Sequence, residues 1–267
     1  MSVYEQFAAR LAGGAPVFSA WIGMGGSQVA SVLARSAFDA ATFDMQHGVV
    51  DFAAVVRGTQ LSLAAGKPPV ARVPVGACAT AARLLDAGVA AIIAPMVNSA
   101  GDARQFVSFC KFPSVGGRSW GPGESRVASG LDSAGYLARA NSLLKLFVMV
   151  ETREALAALD EILAVDGVDG VFVGPADLSI ALSGGARVDP AGVEVDAALA
   201  QVVARCRAAG KTPCVYAVTA RRARALAEMG FVFIAVSSDG ALLQAAADAA
   251  AAEARGETAG PAAGGYG

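Results

Sequence analysis

His47 is the only histidine in the chain, and it stands in Phe43-Asp44-Met45-Gln46-His47-Gly48, where a short apolar run ends. Arg72, Glu151 and Asp177 occupy comparable places, after Val70-Ala71, Met149-Val150 and Gly174-Pro175-Ala176. One histidine cannot build a multi-histidine metal centre, so a metal here has to be held mainly by carboxylates, which suit a hard cation such as magnesium or manganese. Glu151 and Asp177 follow neighbouring apolar runs and can supply two such oxygens, leaving positions for water and a chelating substrate. Arg72 offers several fixed donors to a developing oxyanion, and an imidazole exchanges protons near neutrality.

Each of these residues also has a structural alternative. Glu151 could be a favourable negative charge at the start of the helix opened by Thr152-Arg153-Glu154, and Asp177 could be an N-cap. Arg72 could be the ion partner of either carboxylate, and His47 a rim histidine bonded to backbone. Two carboxylates on adjacent strands favour the metal. The lysines carry a negative result: Lys67, Lys145 and Lys211 each precede a strand and Lys111 closes a helix, so none is placed for a Schiff base. A lyase with this sequence would have to stabilise its carbanion with a metal. Gly23-Met24-Gly25-Gly26 lacks the lysine of a phosphate-binding loop and carries little weight for nucleotide binding.

These residues need a scaffold that brings strand ends together. Strands are expected at Val17–Ile22, Ala41–Met45, Val70–Arg72, Ala91–Pro95, Leu146–Val150, Gly170–Val173, Pro213–Tyr216 and Phe231–Val236. Helical periodicity occupies the intervals, with Asp51 and Ser99 as N-caps and Gly66, Gly88, Gly210 and Gly230 as stops. Strands that are apolar throughout and joined through helices form a parallel sheet covered by helices. Eight such units over this length favour a single α/β domain, a closed (β/α)8 TIM barrel from residue 1 to about 255, over an open doubly wound sheet. Residues 256–267 read as a flexible tail. The Gly-, Pro-, Ser- and Arg-rich insertion from Phe112 to about Ser129 is expected at the barrel's mouth, where its loop from Arg118 to Arg126, with Trp21, would shape a substrate pocket.

The 267 residues carry a net charge of -2 and no basic block, which argues against nucleic acid as a partner. The chain is 55% hydrophobic and only 16% charged, with mean hydropathy +0.50. Yet charges, Gly or Pro interrupt every apolar run before the roughly 20 residues of a spanning helix, so no membrane segment is expected. The four scattered cysteines form no C-x-x-C pair and read as reduced, giving a cytoplasmic expectation. The apolar, weakly charged composition also points to surface buried between copies of the chain.

Five segments together resemble the HpcH/HpaI aldolase family: Asp44-Met45-Gln46-His47-Gly48, Leu84-Leu85-Asp86-Ala87-Gly88, Pro95-Met96-Val97, Glu151-Thr152-Arg153-Glu154-Ala155 and Gly167 through Ser179. The resemblance runs from about Val17 to Leu243. It implies a TIM barrel of the phosphoenolpyruvate/pyruvate type and a metal-dependent class II pyruvate aldolase. Such an enzyme reversibly cleaves a 4-hydroxy-2-oxo acid to pyruvate and an aldehyde through a pyruvate enolate. By the resemblance Glu151 and Asp177 bind the divalent cation (Mg2+ or Mn2+, with Co2+ compatible) and Arg72 stabilises the enolate. His47 is the acid/base with Asp86 raising its basicity, and substrate meets Ala176, Asp177 and the position of Met149. Asp86 ends a helix and belongs to the far rim, so it would have to act on His47 from a neighbouring subunit or through a longer hydrogen-bond network. Related barrels assemble as hexamers, trimers of dimers, often with an exchanged last helix.

Gln46 stands where the best-known members have Glu, and Met149 where they have a substrate-contacting Gln. Both departures, together with Arg118-Ser119-Trp120-Gly121-Pro122, read as a subfamily trait that shifts aldehyde preference. The alternatives are a citrate-lyase-type enzyme acting on a coenzyme A thioester, for which Arg118 and Arg126 are a thin supply of phosphate ligands, and a catalytically silent barrel that binds a 2-oxo acid.

Overall fold

Runs of β-branched and small apolar residues become the strands, and the helices between them begin where a short polar side chain can take up free N–H groups. The computed structural model describes residues 1–257, so the flexible tail expected from 256 onward falls almost wholly outside the described residues. In chain order the elements are α1 (Val3–Ala12), β1 (Val17–Ile22), α2 (Ser27–Ala34), β2 (Ala40–Asp44), α3 (Phe52–Ala64), β3 (Pro69–Arg72), α4 (Cys78–Asp86) and β4 (Ala91–Ala94). They continue with α5 (Ala100–Cys110), α6 (Gly123–Ser129), α7 (Ser133–Leu143), β5 (Lys145–Met149), α8 (Arg153–Ala157), α9 (Leu159–Leu163) and β6 (Gly170–Val173). The last are α10 (Pro175–Leu182), α11 (Val193–Ala208), β7 (Thr212–Ala217), α12 (Ala220–Met229), β8 (Phe233–Val236) and α13 (Asp239–Ala254).

All eight strands pair in parallel and in sequence order, and β8 closes on β1, with Val17 opposite Phe233 and Ala20 opposite Val236. The chain is therefore a (β/α)8 barrel, as its pattern predicts. Asp51 caps α3 by accepting the Ala54 N–H at 2.7 Å, and Ser99 caps α5 by accepting that of Asp102 at 3.1 Å. Gly230 ends α12 at φ 113°, a left-handed conformation that only glycine adopts without strain.

The barrel interior is filled by aromatic side chains, Phe147 and Phe172 both lying against Phe233. α1, opened by a Ser2/Glu5 capping box, closes the amino end from below: its Phe7 meets Phe233 edge-on at 6.0 Å, and its Tyr4 hydroxyl donates to the Gly88 carbonyl at 2.8 Å. Only the carboxyl end remains open.

Two expectations are corrected. The single helix expected to open at Thr152-Arg153-Glu154 and fill the interval before β6 is two helices, divided at Ala158, which ends α8 and begins α9. The insertion between Phe112 and Ser129 lies at the opposite end from the mouth, because a chain leaving a barrel helix must return to the amino end of the next strand. Its first residues are tied there: Lys111 Nζ donates to the carbonyls of Asn141 and Leu144 and to Asp169, beside the starts of β5 and β6. The loop from Arg118 to Arg126 therefore does not line the pocket of its own chain. The four cysteines are free, and among the described residues no helix is long and apolar enough to cross a membrane.

Candidate active site

At the carboxyl end the strands surround a cavity of about 430 Å³. Trp21 on β1, Asp44 on β2, Arg72 on β3, Met149 on β5 and Tyr216 on β7 line it, together with His47 from the loop after β2 and Asp177 from the first turn of α10. No lysine lines it. Lys67, Lys145 and Lys211 bond to backbone carbonyls of Phe38, Ser142 and Val168 at the amino end, as their places before strands predict.

Glu151 follows β5 and is buried. Its Oε1 accepts the Met96 N–H at 2.9 Å, and Met96 is held at φ 54°, a left-handed conformation costly for a side chain with a Cβ. Oε2 is left free, and it points toward Gly174. A Cβ at Gly174 would lie 2.6 Å from Glu151 Oε2 and 3.7 Å from Asp177 Oδ2, so a bare backbone keeps the space between the two carboxylates clear. Burial pushes the Glu151 carboxyl above its ordinary value; the Met96 N–H opposes this, and the negative charge of Asp177 adds to it. The N-cap alternative for Asp177 falls, and the side chain of Glu151 is engaged away from the helix that follows it. The N-cap of α10 is Gly174, with Asp177 in the first turn, and Glu151 is occupied by Met96 rather than by the helix after it.

No group of three or more His, Cys, Asp or Glu side chains is arranged for a metal among the described residues. A hard divalent cation needs fewer, since it commonly keeps waters and takes one or two protein carboxylates plus substrate oxygens. Two carboxylates with free oxygens over a vacant glycine, one of them buried against its charge, fit such an ion. Beside them, α10 directs its N-terminus into the pocket: its first intrahelical bond is Leu178 N–H to the Gly174 carbonyl, which leaves the Ala176 and Asp177 N–H groups for a carboxylate ligand.

Arg72 pairs with neither carboxylate. Its Nε and Nη2 donate to Asp44 Oδ1 and Oδ2, its guanidinium carbon lies 4.8 Å from the centre of the Trp21 ring, and Trp21 Nε1 donates to Asp44 Oδ2 at 3.3 Å. Asp44 also accepts the Gln46 and His47 N–H groups, at 3.0 and 3.4 Å. One buried carboxylate thus orients the arginine, the indole and the loop bearing the histidine. Sequence reasoning missed Asp44 as a site residue; its only signal was an acid ending an otherwise apolar strand. The Gly48 backbone fits against the loop after β1 so closely that a Cβ there would lie 2.8 Å from Gly23 Cα. The imidazole of His47 is exposed at the mouth, with no hydrogen-bond partner among the described residues.

Two sequence readings end elsewhere. The glycine-rich loop after β1 spends its donors internally, Gly23 N–H and Met24 N–H both bonding to Asp239, at 3.1 and 2.8 Å. Asp86 ends α4 at the far rim, where Oδ1 accepts Arg118 Nη2 at 2.6 Å, and it does not line the cavity with His47.

The sequence pattern of the family HpcH/HpaI aldolase/citrate lyase matches residues 18–246. The chain is 40% identical over 242 residues to a hydroxypyruvate/pyruvate aldolase of Rhizorhabdus wittichii, covering 91% of this chain and 95% of that protein. It is 37% identical over 250 residues to a 4-hydroxy-2-oxo-heptane-1,7-dioate aldolase of Shigella sonnei, covering 93% and 94%. Among solved structures, an HpcH/HpaI aldolase/citrate lyase family protein from Burkholderia cenocepacia superposes with a TM-score of 0.84 at 32% identity, covering 94% of this chain and 99% of that one.

Proposed function

Since this chain belongs to the HpcH/HpaI aldolase/citrate lyase family, we propose that it is a class II pyruvate aldolase whose reaction centre is the space between Glu151 and Asp177. It reversibly cleaves a 4-hydroxy-2-oxo acid to pyruvate and an aldehyde. The observation that carries this reading is the convergence of Glu151 Oε2 and Asp177 Oδ2 over Gly174. Mg2+ or Mn2+ is the expected cation, and when bound it supplies Lewis acidity toward the 2-oxo group.

The protein's own groups divide the remaining work. The free N–H groups of Ala176 and Asp177 hold the pyruvate carboxylate at the positive end of α10. Arg72 presents its guanidinium, fixed by Asp44 and Trp21, to the oxygen on which negative charge develops as the carbon–carbon bond breaks. His47 takes the C4 hydroxyl proton in cleavage and returns it to the alkoxide in synthesis. Met149, fully buried beneath Gly174, packs against the substrate without offering it a strong hydrogen bond. The name of the Rhizorhabdus relative supports including hydroxypyruvate among the donors.

Asp86 serves the site of a neighbouring copy. Its rim carries Trp120 and Val127, exposed by 48% and 65%, while the mouth exposes Val49 and Val75 by 82% and 59%; two such apolar borders suit an interface between copies. α13 supports exchange of the last helix: it is rich in alanine and leucine, yet Asp239 is its only buried residue. The expected assembly is a hexamer.

A coenzyme A thioester substrate is poorly served, because Arg72 is the only Lys or Arg lining the cavity and Asp44 already neutralises it. Proton NMR of pyruvate in deuterated buffer, with metal-stripped protein and then added magnesium or manganese, tests the reading. Metal-dependent loss of the methyl signal, absent in Arg72→Ala and Glu151→Ala, is expected. No exchange with any metal would reject it.

A further inference from the structure

We propose that the Tyr216 hydroxyl selects the acceptor, favouring an uncharged aldehyde with a hydroxyl beside its carbonyl over one that carries a second carboxylate. The inference rests on the aldolase reading and goes beyond it by naming the class of acceptor.

The geometry places this phenol next to the reacting groups. Tyr216 is the penultimate residue of β7, lines the cavity, and meets Trp21 edge-on with 5.3 Å between ring centres. Trp21 in turn lies under the Arg72 guanidinium. One ring therefore separates Tyr216 from the group that faces developing charge on the donor.

The hydroxyl is also unspent. Of the three tyrosines among the described residues, Tyr4 donates to the Gly88 carbonyl and Tyr136 bonds to Ser125, both in the core. Tyr216 has no hydrogen-bond partner among the described residues; it is half-buried, and its hydroxyl is not sealed from solvent. Burial, opposed by Arg72 and aided by the negative charges of Asp44 and Asp239, pushes its pKa up to about 12, so it remains a donor throughout the neutral range. A donor that lines the cavity and has no protein partner is available to a ligand that offers it an acceptor, and it favours such a ligand over one that lacks an acceptor.

The surrounding charge decides what kind of ligand that is. Asp239 also lines this side of the cavity, fixed by the N–H groups of Gly23, Met24 and Gly240. Asp44 balances Arg72, and Asp177 faces the proposed cation. A further carboxylate on the acceptor, as in the product of cleaving a seven-carbon dioate, would meet uncompensated negative charge here. A hydroxyl would not.

The test measures aldol addition of pyruvate to glycolaldehyde, acetaldehyde and succinic semialdehyde, with magnesium or manganese, for the wild type and Tyr216→Phe. Pyruvate methyl exchange without any acceptor is followed in parallel. The expected result is a wild-type kcat/KM highest for glycolaldehyde, and a glycolaldehyde-to-acetaldehyde ratio about 5- to 10-fold lower in Tyr216→Phe. An unchanged ratio, or a wild-type preference for succinic semialdehyde, overturns the inference while the aldolase reading stands on the exchange signal. Absence of exchange overturns both.

Discussion

Asp44 and Arg72 stand opposite each other in the register of β2 and β3 and share two hydrogen bonds, of 2.8 and 2.7 Å, with both side chains nearly excluded from solvent. A buried ion pair contributes little net stability compared with an apolar pair, but removing one partner strands the other's charge. Asp44→Ala should therefore lower stability by about 3 to 5 kcal/mol, read by urea denaturation, and should lower kcat as Arg72 loses its orientation. A variant as stable and active as the wild type would show that the pair positions nothing.

The same pair sets an acid limit. Burial alone would raise the Asp44 carboxyl; the hydrogen bonds and charge of Arg72, with the Gln46 and His47 N–H groups, more than reverse this and hold it below its ordinary value. A depressed folded pKa means stability present above the unfolded value of about 3.9 and lost as pH falls through the folded one. Between pH 5 and 2 the wild type should lose more unfolding free energy than Asp44→Asn does, and parallel curves would contradict the assignment.

Glu151 carries the opposite perturbation, a burial cost that a cation relieves. Added magnesium or manganese should raise the melting temperature of the stripped protein, by an amount equivalent to about 2.7 kcal/mol at a hundredfold excess over Kd. Glu151→Gln should be more stable than the stripped wild type and show no metal shift. A full shift in that variant would place the cation elsewhere.

His47→Ala should reduce aldol cleavage by about 10²- to 10⁴-fold, the usual worth of a positioned acid/base. Steady-state kinetics with a fixed 4-hydroxy-2-oxo acid would read this, and a loss below tenfold would remove His47 from proton transfer.

If Asp86 serves a neighbour's His47, two inactive variants can repair each other. Asp86→Ala and His47→Ala, unfolded together and reassembled, should regain activity in about one site in four, because some interfaces then pair two intact residues. No recovery in verified mixed oligomers would confine Asp86 to its bond with Arg118.

The scaffold was legible because periodicity is a local property. Each strand of the barrel falls within a few residues of its apolar run; Asp177, Arg72 and His47 line the cavity at the strand ends, and Glu151 lies just beneath it against Gly174. What was not legible depended on pairing and direction. Asp44 matters through its register with Arg72, 28 residues away, which no local pattern encodes. The Arg118 loop has the composition of a functional lip, yet the direction of the chain out of α5 carries it to the opposite rim. α1 escaped notice because its role, plugging the barrel with Phe7, exists only once β8 is present.

The seam between β1 and β8, bridged further by Asp239 to Gly23, joins residues more than 200 positions apart. Such distant closure makes biosynthesis all-or-none: until the last strand leaves the ribosome, Trp21 and Tyr216 have no common wall, and the half-made barrel exposes two unpaired strand edges. The nascent chain is thus exposed to aggregation longest just before it can bind anything.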